Sequence, residues 1–449
     1  MERLVFAAIA DDDTGASDLA GMLADRDVRT LLVIDLAESG RLLEWLQGFD
    51  AVVMAVGTRN IDPEAARDRT RQAIRLLAPL APRMFQIKYC STFDSTPRGN
   101  IGPAIDAAMD ELATDFTIAL PALPVNGRTT YMGHHFVRGQ LLSDSPMRDH
   151  PLTPMTNPNL VDFLGRQTAR RVGLAAYPEV DSGPGRLREC FDTLHRAGIE
   201  IAVVDCLNDR HVDTICNAAA DLRLITGGSA PGIGMPPIWR KLGWIQEPAG
   251  ELAAPRETRA AGCLIVAGSC SEATRGQNQW FREQGWRFLR IDPRELVDGK
   301  LEHAQVIAAA GEELRAGRPV LVATSGEPDE VASVQKWALA RNISREDLGR
   351  AISSGLAEVS LAILQGYPVS GVVAAGGETA GALCRRLELG ALEVGRNIEP
   401  GVPLCRAMGR FPMPLVLKSG NFGSRDFYGR ALRAIEGGEP GNRGIIEGT

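Results

Sequence analysis

The sequence predicts an α/β fold of two domains, each built on a mainly parallel β-sheet flanked by helices. Apolar runs of strand length alternate along the chain with segments of helical periodicity, as βαβ units require. The chain of 449 residues exceeds what one hydrophobic core usually serves. The alternation lapses at 246–260, which is rich in alanine, proline and charge. We therefore predict a first domain over 1–245, a linker over 246–260 and a second domain over 261–449.

In the first domain, strands are predicted where a short apolar run is bounded by polar residues. These runs are Leu4–Ala10, Thr30–Ile34, Ala51–Val56, Met84–Lys88, Phe116–Leu120, Val172–Ala176 and Ile201–Asp205. Between them, helical periodicity marks Pro63–Leu77, Ile101–Leu112 and Leu187–Ala197. Ligands of such sheets bind beyond the carboxyl ends of the strands, so the polar residues that follow each strand are the candidate site residues.

The second domain repeats this alternation. Strands are predicted at Cys263–Ala267, Arg287–Ile291, Val320–Ala323, Val372–Ala375 and Leu415–Leu417. The formal net charge of -7 argues against a nucleic-acid partner or an anionic membrane surface. No apolar run approaches the roughly 20 residues that span a bilayer, and the N-terminus enters a strand instead of a signal peptide. We therefore expect a cytoplasmic protein.

Three consecutive carboxylates, Asp11, Asp12 and Asp13, follow the first predicted strand. Acids that lie so close repel one another, so such a cluster is usually kept to bind a cation or a hydroxyl, or to take up a proton. The alternative is that Asp13 or Thr14 caps the following helix while its neighbours face water. We favour the chemical role because further polar segments follow other strands.

A second polar segment, KYCSTFDSTPRGNIG, runs from Lys88 to Gly102, where a strand ends and a helix begins. Its hydroxyls, its acid and its bases are the groups that hold a small polyhydroxylated anion. The alternative is a capped turn, in which Ser95 or Thr96 caps the next helix. Arg59, which follows the third predicted strand, adds a cation at the same expected edge of the sheet.

A third polar segment follows Leu120 and reads PALPVNGRTTYMGHHFV, then continues through the proline-broken HPLTPMTNPNL. Asn126 and Arg128 again come after a strand. We expect the irregular remainder to be a loop that shapes a pocket or a dimer contact. The histidines of this segment fit no standard spacing of metal ligands, so we predict no metal centre there: His134, His135 and His150.

Three glycine-rich turns follow strands in the second domain and precede helices. They read GSCS from Gly268, GGETAG from Gly376 and KSGNFG from Lys418. Glycine lets backbone N–H groups approach an anion, and a helix N-terminus favours negative charge, so the three turns together indicate a phosphate site. No Walker A pattern and no Rossmann fingerprint occurs. A further glycine run, Gly227–Gly234, is interpreted as a hinge or a wall of the cleft.

These segments together resemble the four-carbon acid sugar kinase family. The resemblance rests on IADDDTGASDLA, KYCSTFDSTPRGNIGPAID, PALPVNGRTTYMG with HPLTPMTNPNL, GGETAGA and KSGNFGSRDF, and it spans about Leu4 to Leu432. The first-domain segments are most similar to the 3-oxo-tetronate kinase branch. In kinases of D-threonate and D-erythronate, the segment that corresponds to KYCSTFDSTPRGN usually has a simpler pattern of a lysine, Asp-Ser-Thr and Leu-Arg-Gly. D-threonate and D-erythronate are therefore less expected as substrates.

The resemblance implies that the N-terminal domain binds a sugar acid, that the C-terminal domain binds ATP, and that phosphoryl transfer takes place in the interdomain cleft. It implies ATP and Mg²⁺ as cofactors. Asp12 is the preferred catalytic base and Asp94 its rival. The candidate substrate ligands are Asp11, Arg59, Lys88, Ser91, Thr92, Asn126 and Arg128. The candidate nucleotide ligands are Ser269, Ser271, Gly376, Gly377, Glu378, Thr379, Lys418, Gly420 and Asn421.

Other functions remain open at this point. In one alternative, the protein is a kinase for a related acid such as D-threonate, D-erythronate or 3-oxo-isoapionate. In another, the protein binds a sugar acid without catalysis. A dehydrogenase would need the dinucleotide fingerprint that is missing. A homodimer is an open alternative for the assembly.

Overall fold

The computed structural model describes residues 4–34, 42–149, 153–246, 261–299, 303–324 and 326–437. The chain divides into two compact units, Met1–Ala249 and Gly250–Thr449. The predicted linker lies, except for Gln246, outside the described residues. Among the described residues, the structure has no helix of the length and apolarity that crossing a bilayer requires.

Strands and helices alternate through the first unit. Its strands are β1 (Phe6–Ala10), β2 (Thr30–Val33), β3 (Ala51–Ala55), β4 (Met84–Lys88), β5 (Thr117–Leu120), β6 (Arg128–Tyr131), β7 (His134–Val137), β8 (Gln140–Leu141), β9 (Val172–Ala175), β10 (Ile201–Val204) and β11 (Leu224–Gly227). Its helices are α1 (Asp13–Ala24), α2 (Leu42–Trp45), α3 (Pro63–Leu77), α4 (Ile101–Leu112), α5 (Leu160–Gly165), α6 (Tyr177–Asp181), α7 (Pro184–Arg196), α8 (Asp209–Ala218) and α9 (Pro231–Lys241).

The main sheet of the first unit has the strand order β2-β3-β1-β4-β11-β5-β10-β9, and its described pairings are parallel. Every residue of β1, β3 and β4 is buried. Strands buried on both faces read as continuous apolar runs because helices cover the sheet on each side. A smaller antiparallel sheet joins β6, β7 and β8.

The second unit also alternates strands and helices, but its sheet includes antiparallel strands near the C-terminus. Its strands are β12 (Cys263–Ala267), β13 (Arg287–Arg290), β14 (Val320–Ala323), β15 (Gly371–Ala375), β16 (Ala391–Glu399), β17 (Val402–Met408) and β18 (Pro414–Lys418). Its helices are α10 (Glu272–Glu283), α11 (Pro293–Asp298), α12 (His303–Arg315), α13 (Pro328–Leu339), α14 (Arg345–Gly366), α15 (Gly377–Arg386) and α16 (Phe427–Ile435).

In the second unit, β13-β14-β12-β15-β18 pair in parallel, whereas β17 pairs antiparallel with both β18 and β16. The strands β12, β14 and β15 are buried throughout. On one face, Phe281 of α10 and Phe427 and Tyr428 of α16 pack against residues of these strands. The carboxyl ends of β12, β15 and β18 therefore lie side by side.

The predicted α/β class is confirmed in both units. The predicted strands end within two residues of observed strands, and the predicted helices Pro63–Leu77 and Ile101–Leu112 coincide with α3 and α4. The apolar runs were sufficient because these strands are buried on both faces.

The structure differs from the predicted elements in two places. The segment expected to be irregular contains β6, β7 and β8, whose partly exposed polar residues hide the strand pattern. The glycine run Gly227–Gly234 begins with the last residue of β11 and continues into α9, and its interpretation as a hinge or a wall of the cleft stays a prediction. The pair β16 and β17 was not predicted, because it alternates buried and exposed residues instead of forming an apolar run.

Candidate active site

The ends of adjacent strands bring several predicted residues of the first unit together. Asp11 and Asp12 follow β1, Arg59 lies beyond β3, and Lys88 is the last residue of β4. The backbone N–H of Asp11 donates to the carbonyl of Lys88 at 3.0 Å, and the N–H of Arg59 donates to the carbonyl of Asp11 at 3.1 Å. These bonds join the three turns because β3, β1 and β4 are neighbours.

The guanidinium of Arg59 binds two of the three carboxylates. Its Nε and Nη2 donate to the two oxygens of Asp11, each at 2.9 Å, and Nη2 also donates to Oδ1 of Asp12 at 2.8 Å. Burial raises the pKa of Asp11, while the charge and hydrogen bonds of Arg59 lower it. Burial opposes the charge on Arg59, yet the two carboxylates raise its pKa above the usual value. The cost of gathering acids at one strand end is thus offset by a shared cation.

Asp12 caps α1. Its Oδ1 accepts the N–H of Gly15 at 2.8 Å, so the cap is Asp12 and not Asp13 or Thr14. Among the described residues, the hydrogen bonds and ion pairs of this carboxylate all end on Oδ1. Its other oxygen is therefore available to accept a proton from a ligand.

Glycine is required at position 15 by close approach. A Cβ atom there would lie 2.5 Å from Oδ1 of Asp12 and 2.9 Å from Nζ of Lys88. The side chain of Lys88 is 2 % exposed, and its Nζ donates to the carbonyl of Tyr89 at 3.0 Å. Lys88 and Asp12 thus both lie close to the first turn of α1.

A small pocket, partly open to solvent, lies at this edge of the sheet. Of the predicted residues, Asp11, Arg59, Lys88 and Asp94 line it. The structure thus brings together three candidate substrate ligands and one candidate base, with cations and carboxylates on the same wall.

The turn after β4 carries its polar groups on a short network. The hydroxyl of Thr92 donates to Oδ1 of Asp94 at 2.5 Å, and its oxygen lies 2.9 Å from the sulfur of Cys90. Burial raises the pKa of the Cys90 thiol to about 11, so this cysteine stays protonated at neutral pH. Ser91 is partly exposed.

His135 on β7 supports the same turn. Its Nε2 lies 2.8 Å from the carbonyl of Ser91, and its Nδ1 lies 3.0 Å from the hydroxyl of Thr130. A carbonyl can only accept, so Nε2 carries the proton and Nδ1 accepts from the hydroxyl. The ring is fully buried, and burial lowers its pKa to about 4. His135 is therefore neutral, and both of its nitrogens are used for hydrogen bonding instead of metal binding.

Asn126 and Arg128 lie apart from the pocket lining. Asn126 is exposed at the end of a short 3₁₀ turn, and Nη1 of Arg128 donates to its carbonyl oxygen. Arg128 is close enough to His135 for its charge to lower the pKa of that ring. Of the other histidines, Nδ1 of His134 contacts the carbonyl of Met132, and His150 lies outside the described residues.

In the second unit, the three glycine-rich turns are in contact. The N–H of Gly376 donates to the carbonyl of Lys418 at 2.8 Å, and the N–H of Gly268 donates to the carbonyl of Ala375 at 3.3 Å. A Cβ atom at Gly420 would lie 2.4 Å from Oγ of Ser269. Ser271 caps α10 and also donates its hydroxyl to the carbonyl of Gly420 at 2.5 Å.

The first turn of α15 has no side-chain cap. It begins after Gly376, whose φ of 122° lies in a region that favours glycine. The next residues, Gly377 and Glu378, are exposed, whereas Thr379 is buried. Uncapped N–H groups at a helix N-terminus favour an anion. Asn421, on the neighbouring turn, is exposed.

Lys418, a candidate nucleotide ligand, contacts protein oxygens with its ammonium group. Its side chain is 0 % exposed, and Nζ lies 2.9–3.3 Å from four protein oxygens. Burial lowers its pKa to about 8. The ammonium therefore lies beneath the glycine turn and supports it.

Two residues outside the predicted site hold these turns. Nδ2 of Asn100 donates to the carbonyls of Thr58, Arg59 and Ile61 at 2.5–3.2 Å. Nε2 of Gln277, on α10, donates to the carbonyls of residues 422–424, each at 3.0 Å. A glutamine at the sixth position of a helix is an ordinary surface residue by pattern, so the sequence contains no signal for its burial.

Among the described residues, no cluster of three histidine, cysteine, aspartate or glutamate side chains has the geometry of a metal site. The described carboxylates of the first unit's site are instead paired with Arg59 or hydrogen-bonded to the backbone and to Thr92.

Two family models match the chain. One describes a sugar-binding N-terminal domain and covers residues 6–233, and the other describes a nucleotide-binding C-terminal domain and covers residues 264–428. They fall on the two units that carry the carboxylate pocket and the glycine turns.

Curated relatives match over nearly their whole length. The 3-oxo-tetronate kinases of Pseudomonas savastanoi pv. phaseolicola and Cupriavidus necator are each 40% identical over 97% of this chain and 98% of the relative. The crystal structure of a Haemophilus influenzae protein superposes with a TM-score of 0.81 and 32% identity, over 96% of this chain and 100% of that one. The chain therefore belongs to the four-carbon acid sugar kinase family, the family of the 3-oxo-tetronate kinases.

Proposed function

We propose that this protein is an ATP-dependent kinase that phosphorylates the terminal hydroxyl of 3-oxo-tetronate and forms 3-oxo-tetronate 4-phosphate. The observation that carries the proposal is the near full-length similarity to curated 3-oxo-tetronate kinases. The site geometry supports it, because the first unit offers charged and hydroxyl groups to a sugar acid and the second offers backbone amides to phosphates.

The first unit is proposed to bind the sugar acid in the pocket lined by Asp11, Arg59, Lys88 and Asp94. The two carboxylates on Arg59 neutralise much of its charge, so Lys88 is the stronger candidate for the substrate carboxylate. Ser91 and Thr92 are proposed to bind substrate hydroxyls from the turn after β4. Asn126, in the 3₁₀ turn before β6, and Arg128, the first residue of β6, are proposed to bind the substrate from outside the pocket lining.

The second unit is proposed to bind ATP. The uncapped N–H groups of Gly377, Glu378 and Thr379 suit phosphate oxygens, as do the amides of the turn that contains Gly420 and Asn421. Ser269 and Ser271 offer hydroxyls between these two turns.

Mg²⁺ is proposed to arrive as the MgATP complex and to neutralise charge on the phosphates. The lack of a three-ligand cluster among the described residues suits this ion, which is usually held by substrate phosphates, water and one or two carboxylates. The exposed Glu378, on the first turn of α15, is the candidate carboxylate.

In the proposed reaction, the terminal hydroxyl oxygen forms a bond to the γ-phosphorus, and the bond from that phosphorus to the bridging oxygen of ADP breaks. The hydroxyl proton passes to Oδ2 of Asp12, the oxygen for which the described residues provide no donor. Positioning and charge neutralisation supply most of the catalysis in such transfers. Asp94, which lines the pocket, is the rival base.

The protein is proposed to act in the cytoplasm, where ATP is available, and a homodimer is the assembly that we would test by light scattering. Nucleic acids and membranes are not proposed as partners, because the net charge is -7.

The test is a coupled assay of ADP formation with purified full-length protein, ATP and a panel of acids. We expect the highest kcat/KM with 3-oxo-tetronate, and a phosphate ester at the terminal carbon by ³¹P NMR. Higher kcat/KM with D-threonate, D-erythronate or 3-oxo-isoapionate would reassign the substrate. Binding of an acid without ADP formation would indicate a non-catalytic binding protein.

A further inference from the structure

The glycine turn after β18, residues 419–424, is held from its inner side by two buried donors. We propose that Lys418 and Gln277 are positioning residues, which draw the carbonyl groups of this turn inward so that its backbone amides face the phosphates of ATP. The proposal rests on the proposed function of the second unit as the ATP-binding unit. It assigns to Lys418 a role beneath the turn, where it contacts no phosphate.

Lys418 is enclosed by oxygen atoms. Its Nζ donates to the carbonyls of Ser419, Gly420 and Phe422 at 2.9, 3.2 and 3.1 Å, and it lies 3.3 Å from the hydroxyl of Thr274. The side chain is 0 % exposed. Since these four oxygens surround a buried ammonium, the group acts as an internal cation of the turn.

Gln277 continues this support along the turn. Its Nε2 lies 3.0 Å from each of the carbonyls of Phe422, Gly423 and Ser424. The side chain is 0 % exposed. Together, Lys418 and Gln277 bond five of the six carbonyl groups between residues 419 and 424, the exception being that of Asn421.

The inward carbonyls fix the direction of the amides. In a trans peptide unit, the C=O of one residue and the N–H of the next point to opposite sides of the chain. The carbonyls of Ser419 and Gly420 point toward Lys418, so the N–H groups of Gly420 and Asn421 point away from it. Within the described parts of the chain, neither N–H donates to a protein atom. Two adjacent outward amides of this kind form an anion-binding concavity.

The carbonyl of Gly420 is the centre of the arrangement. It accepts from Nζ of Lys418, from the hydroxyl of Ser271 at 2.5 Å and from the hydroxyl of Thr274 at 2.9 Å. Loss of the ammonium would leave this carbonyl with neutral donors, and it would leave the carbonyl of Ser419 with the backbone N–H of Phe422, at 3.2 Å, as its remaining described donor. The turn could then rotate its peptide planes, and the outward amides would lose their alignment.

The experiment measures binding of MgADP and of the sugar acid separately, by calorimetry on the full-length protein. The variants are Lys418→Met, which removes the charge at similar length, and Gln277→Met, which removes the amide. Lys336→Met is the matched control. It makes the same substitution at an exposed lysine on α13, a helix that follows none of the three glycine turns. We expect Kd for MgADP to rise at least about tenfold in the two test variants, as expected for loss of a charged or multiple hydrogen bond. Kd for the sugar acid should stay within about twofold of wild type, since ΔΔG of distant sites is usually independent.

Chemical rescue separates positioning from general destabilisation. In Lys418→Ala, added propylammonium should restore MgADP affinity, because it replaces the missing ammonium within its oxygen cage, whereas propanol should not. Unchanged MgADP affinity in folded Lys418→Met would overturn the proposal. If Lys418→Met fails to fold, unchanged affinity in Gln277→Met overturns it. Failure of the wild type to bind MgADP would overturn the proposed function itself.

Discussion

At the scale of single residues, one guanidinium group holds the carboxylates that follow β1 in place. Arg59 bonds Asp11 through two atoms and Asp12 through one, and the Asp12 carboxylate also accepts the backbone N–H of Gly15. Arg59 thus fixes the rotamers of both acids. A carboxylate held in this way can accept a proton in one defined direction, which general base catalysis requires.

Asp12 is the residue proposed as the general base. In Asp12→Asn, the amide oxygen still caps α1 through the N–H of Gly15, so the fold is kept while the proton acceptor is lost. We expect kcat to fall by about 10²–10⁴, with Kd for MgATP unchanged. Steady-state kinetics and calorimetry provide the measurement.

The matched comparison for this variant is Asp94→Asn, since Asp94 lines the pocket but caps no helix. It should mainly raise KM for the sugar acid. A larger fall in kcat for Asp94→Asn than for Asp12→Asn would reverse the assignment.

Which polar residues gather at the strand ends could be predicted from the sequence, but their pairings could not. The placement of Asp11, Asp12 and Lys88 was predictable because polar residues directly follow apolar strands. Their partnership with Arg59 depends on the adjacency of β3, β1 and β4, which no local pattern encodes. The same applies to Gln277, whose buried role arises from contact with residues nearly 150 positions later.

At the scale of elements, the glycine turns depend on exact backbone conformations. Gly376 has a φ of 122°, and a Cβ atom there would lie 3.1 Å from Cβ of Ser269. Gly376→Ala should therefore raise KM for ATP and lower the free energy of unfolding by about 1–3 kcal/mol, the usual cost of a strained backbone position. Kinetics and thermal denaturation check both effects.

Gly276→Ala is the control for this prediction. Gly276 lies inside α10, and no atom lies within 4 Å of a Cβ built there. Alanine should stabilise the helix by about 0.5–1 kcal/mol and leave KM for ATP unchanged. Equal kinetic effects of the two substitutions would show that the conformation of Gly376 is not what matters.

Strands that are buried on both faces of the sheet were predictable from the sequence. Strands that are buried on one face only were missed. The fully buried β1, β4, β12 and β15 read as apolar runs. The pair β16 and β17 exposes alternate residues and carries a glycine, a proline and charges, so its strands are recognisable only through their pairing.

At the scale of the whole molecule, buried titratable groups link folding to pH. Burial lowers the pKa of His135 to about 4 from its usual 6.5. Between these values the unfolded chain takes up a proton that the folded ring does not. The contribution of His135 to the free energy of unfolding is therefore complete above pH 6.5 and is lost as pH falls toward 4, by an amount on the order of 3 kcal/mol.

Urea denaturation at pH 7 and at pH 4.5 checks this prediction. His135→Asn should be less stable than wild type at pH 7 but should lose less stability on acidification. His134→Asn, beside it on β7, should keep the wild-type slope. Identical pH slopes for wild type and His135→Asn would contradict the prediction.

The single amide of Asn100, which bonds three carbonyl groups around Arg59, has a consequence for ligand affinity. A loop anchored in this manner has already lost its conformational entropy when the protein folds, so substrate capture does not have to order it. Through this preorganisation, Asn100 increases the affinity for the substrate without having to contact it. Its backbone segment should accordingly exchange amide hydrogens slowly even in the apo protein.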